Sequence, residues 1–147
     1  MVSPLRLHVR STTVAMGLAM LALPAFAATP SVVHVELNES GKNEVIKLDK
    51  SSVHAGKVTF EVVNGSNMDE HELIVVKTTL KPDEFPTNKD RSRVDEKKVK
   101  GGKEISGIKP GGKGQLAMDL TPGHYVLYCN YKNHFKDGMY AELEVTK

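Results

Sequence analysis

The chain has 147 residues, with 20 Lys and Arg against 18 Asp and Glu, one Cys and no Trp. So small a charge excess gives no basic field for nucleic acid, and a lone cysteine rules out an internal disulfide. At this length the chain makes one ordinary domain with a single apolar core.

The N-terminal stretch MVSPLRLHVRSTTVAMGLAMLALPAFAATP carries Arg6 and Arg10, then an apolar run from Val14 to Leu23, then Ala25-Phe26-Ala27. Basic start, short apolar run and A-x-A site in that order predict a cleavable signal peptide over residues 1–27. The run is too short to span a bilayer, which takes about 20 residues. The expectation is an exported, periplasmic domain over residues 28–147, with no membrane span and a monomeric state. Removing Arg6 and Arg10 leaves the mature chain with no net charge, histidines neutral.

Seven short runs follow: SVVHVEL (31–37), NEVIKL (43–48), KVTFEVV (57–63), HELIVVK (71–77), GQLAMDL (114–120), GHYVLYC (123–129) and MYAELEV (139–145). Several alternate strictly. Val58, Phe60 and Val62 oppose Thr59 and Glu61; Leu116, Met118 and Leu120 oppose Ala117 and Asp119. Period-two alternation predicts half-buried antiparallel strands. Asn64-Gly65, Pro110-Gly111 and Pro122-Gly123 separate them as turns. The pattern predicts an all-β sandwich or barrel with Greek-key connections.

Residues 81–114 interrupt it. KPDEFPTNKDRSRVDEKKVKGGKEISGIKPGGKG holds ten basic and six acidic residues, six glycines and three prolines. Little there is expected to enter a core. The reading is a solvated connection, with a short helix near Asp90–Val99.

Enzyme motifs fail on inspection. HELIV lacks the second His of H-E-x-x-H, and GIKPGGKG ends in Gly114 where a phosphate-binding loop needs Ser or Thr. Cys129 ends a strand instead of standing at a helix N-terminus, so a papain-like thiol is not indicated. No enzyme is expected.

CNYKNHFKDGM instead gathers Cys129, His134 and Met139 on one loop between two strands. Local spacing makes the three donors inexpensive to assemble. Thiolate, imidazole and thioether form the soft set that, with one more imidazole, holds blue copper; thioether is a poor zinc ligand. Of the remaining histidines, His34 lies within a strand and His54 and His124 near turns. His71 stands at the mouth of HELIVV, after the polar loop NGSNMDE, and completes the set best.

FEVVNGSNMDEHELIVV followed by PGHYVLYCNYKNHFKDGMYAELEV resembles the cupredoxins, the blue (type 1) copper proteins typified by plastocyanin and azurin. The resemblance runs through the mature chain, and its C-x4-H-x4-M loop before a final strand is specific. It implies a Greek-key β-sandwich with one copper near one end. It also implies His71, Cys129 and His134 as strong ligands and Met139 as the weak axial one. Glu72 departs from the pattern, because plastocyanin- and azurin-like proteins often carry Asn after the upstream His. A dinuclear purple site is excluded, since position 133 is Asn where it needs a second Cys. The resemblance further implies single-electron transfer between exported redox partners that dock near His134 and Phe135, with Lys132 and Lys136 beside them. Copper storage or delivery to another exported protein is the alternative. Met68 is expected to fill a gap in its loop.

Overall fold

The structure is a computed structural model, and residues 30–40 and 43–147 are described; the signal-peptide reading of residues 1–27 lies outside them. Among the described residues nine strands form two sheets. They are β1 (Ser31–Ser40), β2 (Asn43–Leu48), β3 (Ser52–His54), β4 (Gly56–Asn64), β5 (His71–Lys77), β6 (Lys103–Ile108), β7 (Lys113–Leu120), β8 (Gly123–Tyr128) and β9 (Tyr140–Thr146). One sheet runs β2-β1-β4-β7 and the other β3-β9-β8-β5-β6.

The alternation in the sequence decides which faces meet. Val33, Val35 and Leu37 of β1, Val58, Phe60 and Val62 of β4, and Met118 and Leu120 of β7 turn inward from the first sheet. Leu73 and Val75 of β5, Tyr125 and Leu127 of β8, and Leu143 and Val145 of β9 meet them from the second. Period-two side chains from two facing sheets are what a sandwich core requires.

Two pairings depart from the antiparallel expectation. β1 runs parallel to β4, and β3 runs parallel to β9. The cause is β3, a three-residue strand in SSVH that belongs to the second sheet. The chain therefore crosses the sandwich after β2 and returns as β4, arriving beside β1 in the same direction.

The charged segment is the larger correction. Residues 90–99 form turns and bends, not a helix; the helical element present is a 3-10 turn at Pro82–Glu84. The end of the segment is β6, which pairs with β5. Most of its few apolar residues are buried, Ile105 only partly. Phe85, Val94 and Val99 pack with Ile74, Val76, Val126, Tyr128 and Phe135 into a second cluster. Because β5 and β8 present alternate residues to the main core and to this cluster, the second sheet is covered on both faces. That explains why residues 71–76 are buried without a break, as expected of a strand enclosed on both sides.

Phe85 sits at the centre of the outer cluster, against the rings of Tyr128 (5.7 Å between centroids) and Phe135 (5.6 Å). Phe85→Ala is expected to lower unfolding free energy by ~3–5 kcal/mol, read by denaturant titration of the metal-free protein. A loss near zero would show that the segment merely overlies the sheet.

Candidate metal centre

β5 and β8 are adjacent antiparallel strands, so their ends at one edge of the sandwich place His71 and Cys129 near each other. Both lie just where regular pairing changes. Cys129 follows β8 by one residue, and its N–H donates to the Met139 carbonyl at 3.1 Å, closing the loop base. Within that loop His134 N–H donates to Tyr131 O, Asp137 N–H to Asn133 O, and Met139 N–H to His134 O. These tight turns fold the nine intervening residues back so that His134 returns over Cys129. Asn133 takes φ 73° and Gly138 φ 104°; Asn tolerates the left-handed region through its short polar side chain, and Gly has no Cβ to clash.

The loop before His71 is held from inside. Asn64 is fully buried, and its Nδ2 donates to Asp69 O and Ile108 O, both at 2.8 Å. Its Oδ1 accepts Ser66 N–H, while Ser66 Oγ accepts the N–H groups of Met68 and Asp69 and donates to Glu39. Opposite His71, the β5–β6 register shifts between His71 and Leu73, with Gly107 at φ 70°. A bulge of this kind re-aims the side chains beside it.

The donors converge. His71 Nδ1 is 3.2 Å from His134 Nδ1, and Cys129 Sγ is 3.4 Å from the same nitrogen. The three ligand atoms all lie within 4.8 Å of one another. Donors about 2.0–2.3 Å from a shared ion stand about 3.5–3.8 Å apart at trigonal angles, so the set fits one metal ion once the donors spread by a few tenths of an ångström. Met139 is fully buried and belongs to the same core cluster as Cys129, and the Cys129 N–H to Met139 O bond joins their backbones at the loop base. His71 and Cys129 are fully buried and His134 is half-buried.

Burial sets the protonation states. Desolvation, helped by the neighbouring His134, lowers His71 to about 4. Desolvation also lowers His134, against Asp69 and Asp137, which raise it. The Cys129 thiol is pushed up to about 12 by burial, although backbone hydrogen bonds from Glu72 and Tyr131 pull the other way. The metal-free site at neutral pH is therefore two neutral imidazoles and a thiol.

The charged segment braces the ligand loop from outside. Asn130 Oδ1 accepts Val94 N–H at 2.6 Å, and Asn130 Nδ2 donates to Val94 O and to the Glu96 carboxylate. Arg93 Nη1 donates to Asn130 O, and Asn133 N–H donates to Ser92 O. Glu72 completes the bracing, since its Oε1 accepts Asn130 N–H at 3.0 Å. Thus Glu72 supplies a carboxylate to the loop that carries the thiol. Its own carboxyl is raised, first by burial and then by Glu104 and Glu96.

Two sequence expectations change here. Phe135, expected beside the docking surface, is only 7% exposed and faces the outer cluster, stacked on Phe85, so its ring offers a partner little surface. Met68 is 80% exposed and fills no gap. His34, His54 and His124 lie away from the centre, each against a partner of its own: Glu61, Lys147 O and Glu142. Four residues that shape the site gave no sequence signal on their own: Asn64, Ser66, Asn130 and Glu44. Glu44, on β2, brings Oε2 to 3.7 Å from His71 Nε2, and with Glu39 and Asp69 forms a group of three close carboxylates. Its carboxyl is raised by burial and by those acidic neighbours.

A two-sheet sandwich with two imidazoles and a thiol converging at one end has the architecture of the cupredoxins. Among solved structures, reduced auracyanin from the photosynthetic bacterium Roseiflexus castenholzii is similar at 22% identity and TM-score 0.53, covering 78% of this chain and 97% of that one. Auracyanin B is similar at 21% identity and TM-score 0.53, over 81% and 91% of the two chains. Rusticyanin from Thiobacillus ferrooxidans is similar at 15% identity and TM-score 0.59, over 82% and 80%. No curated protein matches in sequence. Residues 18–147 match the sulfocyanin (SoxE) domain, and the chain belongs to that family of blue copper proteins.

The protonation states predict the proton balance of metal uptake. At pH 7 His71 sits below the working pH and is already neutral, while Cys129 sits above it and must lose its proton to bind metal. Loading with Cu(II) is expected to release one proton per chain, measured by calorimetry in buffers of different ionisation enthalpy. Release of two or three would mean that the histidines are protonated before binding.

Proposed function

We propose that this chain is an exported carrier of single electrons that holds one copper ion through His71, Cys129, His134 and Met139. The observation that carries this reading is the convergence of the two Nδ1 atoms and Sγ at 3.2 and 3.4 Å in a buried site. When bound, copper supplies the electron by alternating between Cu(I) and Cu(II). The protein's part is to keep the donors still. Glu72, Asn130, the Arg93 guanidinium and the Val94 backbone fix the Cys129 side, and Asn64 and Ser66 fix the His71 side. A site held from both sides limits rearrangement between oxidation states, and burial keeps water away from the thiolate. Soft thiolate and thioether beside two imidazoles suit copper in both states.

His134 is the ligand nearest solvent, which makes its edge the point where electrons enter and leave. Lys132, Asn133 and Lys136 are exposed beside it. With no net charge on the mature chain, docking depends on this local surface and favours a partner with acidic groups. Export rests on the order of basic start, apolar run and A-x-A site in residues 1–27. Among the described residues no helix is long and apolar enough to cross a membrane.

Cu(II) is expected to give an intense thiolate charge-transfer band that Cys129→Ser abolishes while the sandwich stays folded. His71→Ala and His134→Ala should lose or grossly alter the band. Met139→Leu should keep it and raise the reduction potential, because losing a weak axial bond disfavours Cu(II). Loss of copper in Met139→Leu but not in His71→Ala would reverse the ligand assignment.

Transfer and delivery separate under cycling. A carrier stays loaded through many oxidations and reductions by a redox partner, whereas a delivery protein loses copper stoichiometrically to an apo-acceptor. Reversing the charge of Lys132 and Lys136 together should slow reduction by an acidic partner and weaken its salt dependence, leaving the spectrum unchanged. An unchanged rate would move the docking surface elsewhere.

A further inference from the structure

His71 has two ring nitrogens with different surroundings. Nδ1 faces His134 Nδ1 and the thiol. Nε2 points away from that convergence, is buried, and has no hydrogen-bond partner among the described residues. The one group placed to meet it is Glu44 Oε2 at 3.7 Å, itself buried and unpartnered among the described residues. Two complementary orphan atoms thus face each other in an enclosed site. At 3.7 Å the pair stands about half an ångström beyond the upper end of hydrogen-bond length, a gap of the size that a glutamate side-chain rotation spans.

Glu44 reaches this place from the other sheet. It lies near the start of β2, and its carbonyl is 3.5 Å from where a Cβ on Gly138 would stand. The backbone that carries Glu44 is therefore packed against the ligand loop itself. This is a built contact between the two sheets at the mouth of the sandwich.

We propose that Glu44 is a positioning residue for the metal centre: its carboxylate accepts the Nε2–H of His71 and so fixes the tautomer that leaves the Nδ1 lone pair free for the ion. A neutral imidazole carries one proton, and the partner of one nitrogen decides the state of the other. Without Glu44, an Nε2–H would be a buried donor with nothing to accept it, and the proton would be favoured on Nδ1, where it blocks the metal. Carboxylate partners of metal-bound imidazoles act in this way, and removing one typically lowers metal affinity about 10–100-fold. Glu39 and Asp69 share the acidic cluster, but no contact of theirs with Nε2 is present among the described residues.

The inference rests on the copper reading above, yet its first test needs no metal. In the ¹⁵N-labelled apoprotein at neutral pH, long-range proton–nitrogen correlations should show His71 protonated on Nε2 alone. Glu44→Leu should shift it wholly or partly to the Nδ1–H form, and Glu44→Gln, whose amide oxygen still accepts, should restore Nε2–H. Glu39→Gln and Asp69→Asn should leave the tautomer as it was. In competition titrations, Cu(II) affinity should fall about 10–100-fold in Glu44→Leu and recover with Glu44→Gln. An Nδ1–H tautomer in the wild-type apoprotein overturns the proposal without any variant, and so does Glu44→Leu with unchanged tautomer and affinity. If the wild type forms no coloured copper complex, the copper reading fails, while the apoprotein result still stands or falls by itself.

Discussion

The Asn130 contacts hold the metal end of the molecule together. Its N–H goes to Glu72, its carbonyl receives Arg93, and its side chain bonds both backbone groups of Val94. β5, the charged segment and the ligand loop meet at this one residue, immediately after the thiol. It is only 4% exposed, so each of these bonds is shielded from water. Leaving such groups unpaired in a buried site costs more than the bonds contribute when made. The conformation of the loop is therefore tied to the docking of a segment whose sequence looks like solvent-facing linker.

The same principle operates on the side of His71. Asn64 and Ser66 tie the turn before His71 to β6 and β1, and the bulge opposite His71 sets the direction of its side chain. Cys129 and His71 are thus braced from different sides, one from the outer face of the second sheet and one from the mouth between sheets, with Glu72 beside His71 joined to the Asn130 N–H. Glu72 belongs to the outer system. There its buried carboxyl group accepts the Asn130 N–H and so joins β5 to the ligand loop.

Much of this was legible beforehand, for physical reasons that differ by element. The seven short runs are strands, and several were legible because period two is a local property, while Cys129, His134 and Met139 were readable as a group because one short loop carries them. His71 could be selected from its position at a strand mouth. β3 was missed because three residues show no period, and β6 because Ile105 and Ile108 stand among charges and glycines. The burial of Phe85, Val94 and Val99 was missed for a related reason, since net polarity was read over the whole segment. A signal was available: Leu73 to Val76 do not alternate, and an unbroken apolar run in a strand needs cover on both faces. Phe135 supplies that cover from the ligand loop, which its place beside His134 disguised as exposure. Glu44, Asn64 and Asn130 stayed hidden because their roles depend on partners distant in sequence.

The parallel pairing of β3 with β9 joins residues 52–54 to residues 144–146, and β9 also forms the far side of the ligand loop by pairing with β8. Contacts of such wide sequence separation carry a large closure entropy and form late. A chain emerging N-terminus first has His71 available long before the final strand can lock Cys129, His134 and Met139 into place. The loop that carries Cys129, His134 and Met139 is thus closed only once β9 has paired with β8, which makes the C-terminal strand part of the scaffold of the candidate centre.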